Sequence, residues 1–168
     1  MKDEIDILIK NGMIISNEKE LKDHSIAIKN NKILEIDTNR KLEKKFKPKK
    51  TINASGKIVM PGIIDGHIHN AQIMLRGSIS DKLISLPPIW LNYLIPFEEN
   101  LTNEQVKTSS LFSMLNMIKA GVTSFIEAGG PKPSKIAEAT EKTGMRGIIT
   151  KSTIDTDPDI PMYQETQE

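Results

Sequence analysis

Pro61-Gly62 separates two stretches whose hydrophobic periodicities belong to different architectures. Before it, apolar and polar residues alternate over residues 4–9, 25–29 and 32–36, with shorter apolar runs at 13–15, 51–54 and 57–60. Period two is the signature of a half-buried strand. The polar pairs Asn11-Gly12, Asn30-Asn31 and Ser55-Gly56 supply tight turns, the first of hairpin type. Residues 1–60 therefore read as a small β-sandwich-type domain with antiparallel pairing. After Pro61-Gly62 the order changes. A compact apolar strand spans 63–69, and a mixed segment over 82–97 carries Pro87-Pro88, Pro96 and a short helix near 89–94. Thr102 and Gln105 then fit a capping box opening a helix, with Leu111, Met114, Leu115 and Ile118 as its apolar stripe and Gly121 as its stop. A strand at 122–126, a helix from a Ser134 cap to Lys142, and a strand at 146–150 follow. Strands separated by helices pair in parallel through right-handed crossovers. The fold class is α/β. Three such units in 168 residues fall short of a complete (β/α)8 barrel, which takes about 250.

Composition narrows the function classes. Hydrophobic residues make up 38% and charged residues 27% of the chain, a globular balance. Apolar runs reach about five residues, whereas a membrane span needs about 20. No apolar leader follows Met1, so the expected location is cytoplasmic. Cysteine is absent, so any metal must be held by histidine and carboxylate. The net charge is +1, with a basic run, Arg40 to Lys50, offset by later acids. That run reads as a solvated loop and not as a nucleic-acid surface; no membrane or nucleic-acid partner is expected.

Two of the three histidines, His67 and His69, fall at the end of the strand at 63–69. Side chains at i and i+2 share a face, about 7 Å apart at a rise of roughly 3.3 Å per residue. Two imidazoles so placed can converge on one ion. The same spacing is met by half-buried histidines bonded to backbone. Position favours the first reading, because functional groups of parallel α/β folds collect at the C-terminal ends of strands. Asp65 lies on the same face, one pleat deeper, where it can orient a histidine or bond backbone. His24 reads as a surface residue.

The segment Pro61-Gly62-Ile63-Ile64-Asp65-Gly66-His67-Ile68-His69 resembles the entry signature of the amidohydrolase superfamily of metal-dependent hydrolases. Leu75-Arg76-Gly77, Trp90-Leu91, Ile95-Pro96-Phe97-Glu98, Leu101-Thr102, Gly121-Val122-Thr123-Ser124-Phe125 and the 144–150 segment resemble the branch of S-adenosylhomocysteine and methylthioadenosine deaminases and triazine hydrolases. The resemblance covers the whole chain and only the first two-fifths or so of a typical family member. It implies a partial (β/α)8 TIM barrel over 61–168, holding strands one to three, after a partial N-terminal β-domain. It implies that His67 and His69 ligate a divalent metal, Zn with Fe or Mn as alternatives, and that a metal-activated water deaminates a nucleoside or similar aminated heterocycle. Glu98 would contact ribose hydroxyls, or else stand exposed before a helix. Trp90 would border the pocket, or pack. Lys151 stands where these enzymes carry Arg; it keeps the charge and loses the planar fork, which points away from a carboxylate-bearing substrate. The remaining ligands and the catalytic acid–base group have no counterpart in this chain. A homo-oligomeric complete form is expected, with the chain alone inactive. The alternatives are a non-catalytic fragment, half of a split enzyme, or a binuclear dihydroorotase- or hydantoinase-type amidohydrolase.

Overall fold

The alternating stretches become strands in the computed structural model, which describes residues 2–16, 19–79 and 89–152. The expected loop through Pro87-Pro88 and the polar tail from Asp155 lie outside the described residues. The chain divides into two units, Met1–Pro61 and Gly62–Glu168.

The first unit holds two sheets. One has the order β5-β4-β1-β6, built from β1 (Asp3–Lys10), β4 (His24–Lys29), β5 (Lys32–Thr38) and β6 (Phe46–Asn53). The other has the order β3-β2-β7, from β2 (Met13–Ser16), β3 (Lys19–Leu21) and β7 (Ile58–Val59). The β1–β4, β4–β5 and β2–β3 pairs are antiparallel, with β4–β5 joined by the expected Asn30-Asn31 turn; the sequence pattern does not predict β3. Three expectations fail here. Asn11-Gly12 does not close a hairpin: β1 is flanked by β4 and β6, so the chain crosses to the second sheet. Gly12 permits that crossing, since a Cβ there would lie 2.8 Å from Val59 Cγ2 and 2.9 Å from Ala54 Cβ. The β1–β6 and β2–β7 pairs are parallel.

The basic run is also not a loop. It forms α1 (Asn39–Lys45) and then β6. Leu42 and Phe46 anchor it, both buried with Ile5, Leu8 and Ala27. Four of its lysines are paired: Lys41 with Asp37, Lys45 with Glu35, Lys47 with Glu4 and Lys49 with Asp6. The register sets Lys47 opposite Glu4, so the acids of β1 neutralise the cations of β6. Pro48 is tolerated because β6 is an edge strand.

Among its described residues the second unit holds a three-stranded parallel sheet of order β10-β9-β8, from β8 (Ile63–Ile68), β9 (Val122–Glu127) and β10 (Arg146–Ile149). A 3-10 turn (Asn70–Leu75) follows β8. A π-helical turn (Trp90–Leu94) runs into α2 (Ile95–Glu99), then α3 (Asn103–Lys119). Helix α4 (Pro133–Thr143) links β9 to β10. Thr102 and Gln105 form the expected capping box. Helix α4 begins two residues earlier than expected, with Lys132 at its N-cap and Pro133 in its first turn, so Ser134 does not cap it.

The core lies on one face of this sheet, where Phe125 packs with Val106, Met114, Met117, Ile136 and Ala139. Gly147 makes room for it, because a Cβ there would stand 2.6 Å from Phe125 Cζ. Of the expected stripe on α3, Met114 is buried and Leu111 packs against the core, but Leu115 and Ile118 are exposed; the buried side runs instead through Val106, Ser109, Ser110, Ser113, Met114 and Met117. Small serines let it approach closely, and Ser109 Oγ donates to the Ala71 carbonyl at 2.9 Å. On the opposite sheet face Ile64, Ile126 and Ile148 are exposed. No helix among the described residues is long and apolar enough to cross a membrane.

Candidate metal centre and substrate cleft

Strand β8 delivers both histidines to one place. His67 is its penultimate residue, and His69 follows its end, preceding the 3-10 turn. The β8–β9 register slips by one residue between Asp65 and Ile68; such a bulge bends a strand and re-aims its side chains. The two imidazole centroids are 5.2 Å apart with planes at 80°. His69 Nδ1 donates to the Gly129 carbonyl at 2.6 Å. A carbonyl only accepts, so Nδ1 carries the hydrogen and Nε2 keeps its lone pair, the tautomer of a metal-binding imidazole. His67 is exposed beside it. The pair thus fits a metal with two nitrogen donors. Among the described residues no set of three or more His, Asp or Glu stands together as a metal site.

Asp65 takes the backbone option of its two readings: its Oδ1 accepts the His67 backbone N–H at 3.1 Å. His24 lies at the start of β4 in the first unit, with its Nδ1 2.6 Å from the Lys22 carbonyl.

An open cleft of ≈ 400 Å³ adjoins the histidines, lined also by Gln72, Ile73, Arg76 and Leu94. Glu98 is 3% exposed, so it is not the solvent-facing acid that the Glu98-Glu99 pair allowed. Ile95 and Glu98 form the buried side of α2. Gln72 Nε2 donates to Glu98 Oε1 at 2.7 Å, which ties this carboxylate to a residue of the cleft wall. Trp90 opens the π-helical turn before α2; its side chain lies outside what is described. Lys151 follows β10 and is exposed. Its neighbour Ser152 lies against Gly129, where a Cβ would meet Ser152 Oγ.

Glu127, at the C-terminal end of β9, is fully buried. Its Oε2 accepts from the Asn70 backbone N–H at 3.0 Å and from Asn70 Nδ2 at 2.7 Å. Burial pushes the Glu127 carboxyl up, against the pull of those two donors and of His69, while the charge of Glu98 adds to the rise. A carboxylate, a cleft wall and two imidazoles are therefore gathered at the C-terminal ends of β8 and β9.

The Amidohydrolase family profile matches residues 58–167. The chain belongs to the amidohydrolase family. Among curated family relatives, it is 35% identical over 162 residues to the 5-methylthioadenosine/S-adenosylhomocysteine deaminase of Carboxydothermus hydrogenoformans, covering 95% of this chain and 36% of that protein. It is 35% identical over 165 residues to the 5'-deoxyadenosine deaminase of Methanobrevibacter smithii, covering 96% of this chain and 36% of that one. The fold of this amidohydrolase chain matches the zinc-bound crystal structure of an adenosine deaminase from Xanthomonas campestris with a TM-score of 0.85 at 24% identity, over 98% of this chain and 37% of the other. The chain thus spans little more than a third of the length of the relatives it matches.

Glu127, Asn70, Gln72 and Gly129 were not singled out from the sequence. The sequence pattern ends this strand at Ile126, one residue before Glu127, which the structure makes its last residue. The rule that drew attention to the histidines, polar groups at the C-terminal end of a strand, applies to it equally. Asn70 and Gln72 immediately follow His69, and only their contacts distinguish them from ordinary turn residues.

Proposed function

We propose that this chain forms the first three strand–helix units of an eight-unit metal-dependent hydrolase barrel, preceded by part of a small β-domain. The complete protein then hydrolyses a carbon–nitrogen bond other than a peptide bond, by deaminating an adenosine derivative or a similar aminated heterocycle. The observation that carries this reading is the His67/His69 pair at the end of β8, with His69 Nδ1 held by Gly129 so that Nε2 is left as a donor. The exposed face of Ile64, Ile126 and Ile148 supports it, being the face that a closed barrel buries. The names of the curated relatives support the substrate class.

Imidazole donors with no thiolate suit Zn, and also Fe or Mn. When bound, such a metal supplies a water acidic enough to act as nucleophile near neutral pH. In this chain His67 and His69 hold the metal. The Glu98 carboxylate, fixed by Gln72, accepts hydrogen bonds from substrate hydroxyls such as those of a ribose. Lys151 supplies a cation to the substrate, and Trp90 is the further substrate-binding residue of this reading. Two imidazoles are about half of a usual donor set, so the chain alone binds metal weakly and does not turn over.

The test is ammonia release from 5'-methylthioadenosine, S-adenosylhomocysteine and 5'-deoxyadenosine. It is run with this chain and with a complete enzyme that includes it. The expected result is turnover of one or more adenosine derivatives by the complete enzyme and none by the chain. Hydrolysis of a cyclic amide such as dihydroorotate, with no ammonia from any adenosine derivative, would replace this reading with the binuclear type.

A further inference from the structure

We propose that Glu127 is a positioning residue for His69, reaching across from β9 to hold the ring of the first strand with hydrogen on Nδ1 and Nε2 turned to the metal. The proposal rests on the reading of His69 as a metal ligand.

The two oxygens of this buried carboxylate stand in different surroundings. Oε2 takes both the backbone and the side-chain N–H of Asn70, the residue next to His69, and so pins the backbone from which the ring emerges. Oε1 is buried with no hydrogen-bond partner and lies 3.9 Å from His69 Nδ1. An unpartnered buried carboxylate oxygen is costly and calls for an explanation. Its place beside Nδ1 provides one. A carboxyl oxygen there favours hydrogen on Nδ1 over Nε2, adding to the Gly129 carbonyl that Nδ1 already meets at 2.6 Å. Gly130 leaves the approach open, since a Cβ there would come 3.2 Å from Oε1. Partners of this kind, behind a ligand histidine, fix its tautomer and raise its basicity.

The test uses the full 168-residue chain, wild type and Glu127→Gln, Glu127→Asp, Asn70→Ala and His69→Asn. The His69 tautomer is read in metal-free protein by two-bond proton–nitrogen NMR. Co²⁺ affinity is read by visible absorption. The wild type is expected to hold hydrogen on Nδ1. Glu127→Gln is expected to give a tautomer mixture and to lower Co²⁺ affinity roughly 10–100-fold, with partial recovery in Glu127→Asp. If Glu127→Gln does not fold, Asn70→Ala carries the test: it leaves the charge, releases the carboxylate, and should move both readouts the same way. A folded Glu127→Gln or Asn70→Ala chain with the wild-type tautomer and wild-type affinity overturns the proposal. Unchanged Co²⁺ binding in His69→Asn would sink the ligand reading instead, and the tautomer measurement would still decide the role of Glu127.

Discussion

Replacing Gly129 by alanine should damage both stability and the histidine site. Gly129 sits at φ +101°, and a Cβ added there would overlap Ser152 Oγ and lie 3.0 Å from Ser152 Cβ and backbone nitrogen. Two costs follow. Placing a side chain in this backbone region costs about 1–3 kcal/mol, and forcing Ser152 aside costs about 1–3 kcal/mol more. Together they come to roughly 2–6 kcal/mol, which at a urea slope of about 2 kcal/mol/M lowers the unfolding midpoint by roughly 1–3 M. The two parts separate in the double variant. Ser152→Gly should recover the side-chain share of the steric part, leaving the contact with the residue 152 nitrogen and the backbone part, because no change at Ser152 alters the φ of residue 129. The assay is equilibrium urea unfolding followed by circular dichroism. Relief of the strain shifts the residue 129 backbone, whose carbonyl accepts from His69 Nδ1, so the folded Gly129→Ala chain should also show a mixed His69 tautomer. An unchanged midpoint with an unchanged tautomer would refute the reasoning.

The remaining predictions concern the core and the helix pair. Gly147→Ala should destabilise by about 1–3 kcal/mol through overpacking, because its Cβ would meet three atoms of the Phe125 ring at 2.6–3.0 Å. In a Phe125→Leu background the penalty should shrink, and a double-mutant cycle measures the coupling. Glu138 takes two lysines, Lys107 from α3 and Lys135 from α4, which draw its carboxyl down from 4.5 to about 2. A depressed carboxylate contributes stability above its unfolded pKa and loses it as pH falls through the folded one. Glu138→Gln should therefore lose stability near neutral pH and flatten the acid dependence between pH 4.5 and about 2. Unfolding curves that stay parallel to wild type through that window would contradict it.

Local signals carried far in this chain. The strands at residues 4–9 and 25–29, the Thr102 capping box and the Gly121 and Gly144 stops needed only neighbouring residues to be read, and each reappears in the structure. What escaped depends on distant contacts. The lysine run became helix and strand because Leu42 and Phe46 reach a core built by β1 and β4, and because Glu4 and Asp6 meet its charges. The buried stripe of α3 could not be read from periodicity, since its serines are buried by what they approach. Ser109 finds its acceptor in the turn after β8, 38 residues earlier in the chain. The site divided in the same way. His67 and His69 announced themselves by spacing and strand position. Glu127 acquires meaning only through Asn70, 57 residues away.

Equilibrium dialysis of the 168-residue chain against Zn²⁺, with metal analysis, on wild type and on the His67→Asn/His69→Asn double variant, tests the metal reading most directly. One weakly bound Zn²⁺ per wild-type chain, lost in a folded double variant, is the predicted result. Equal zinc binding by both proteins would contradict it.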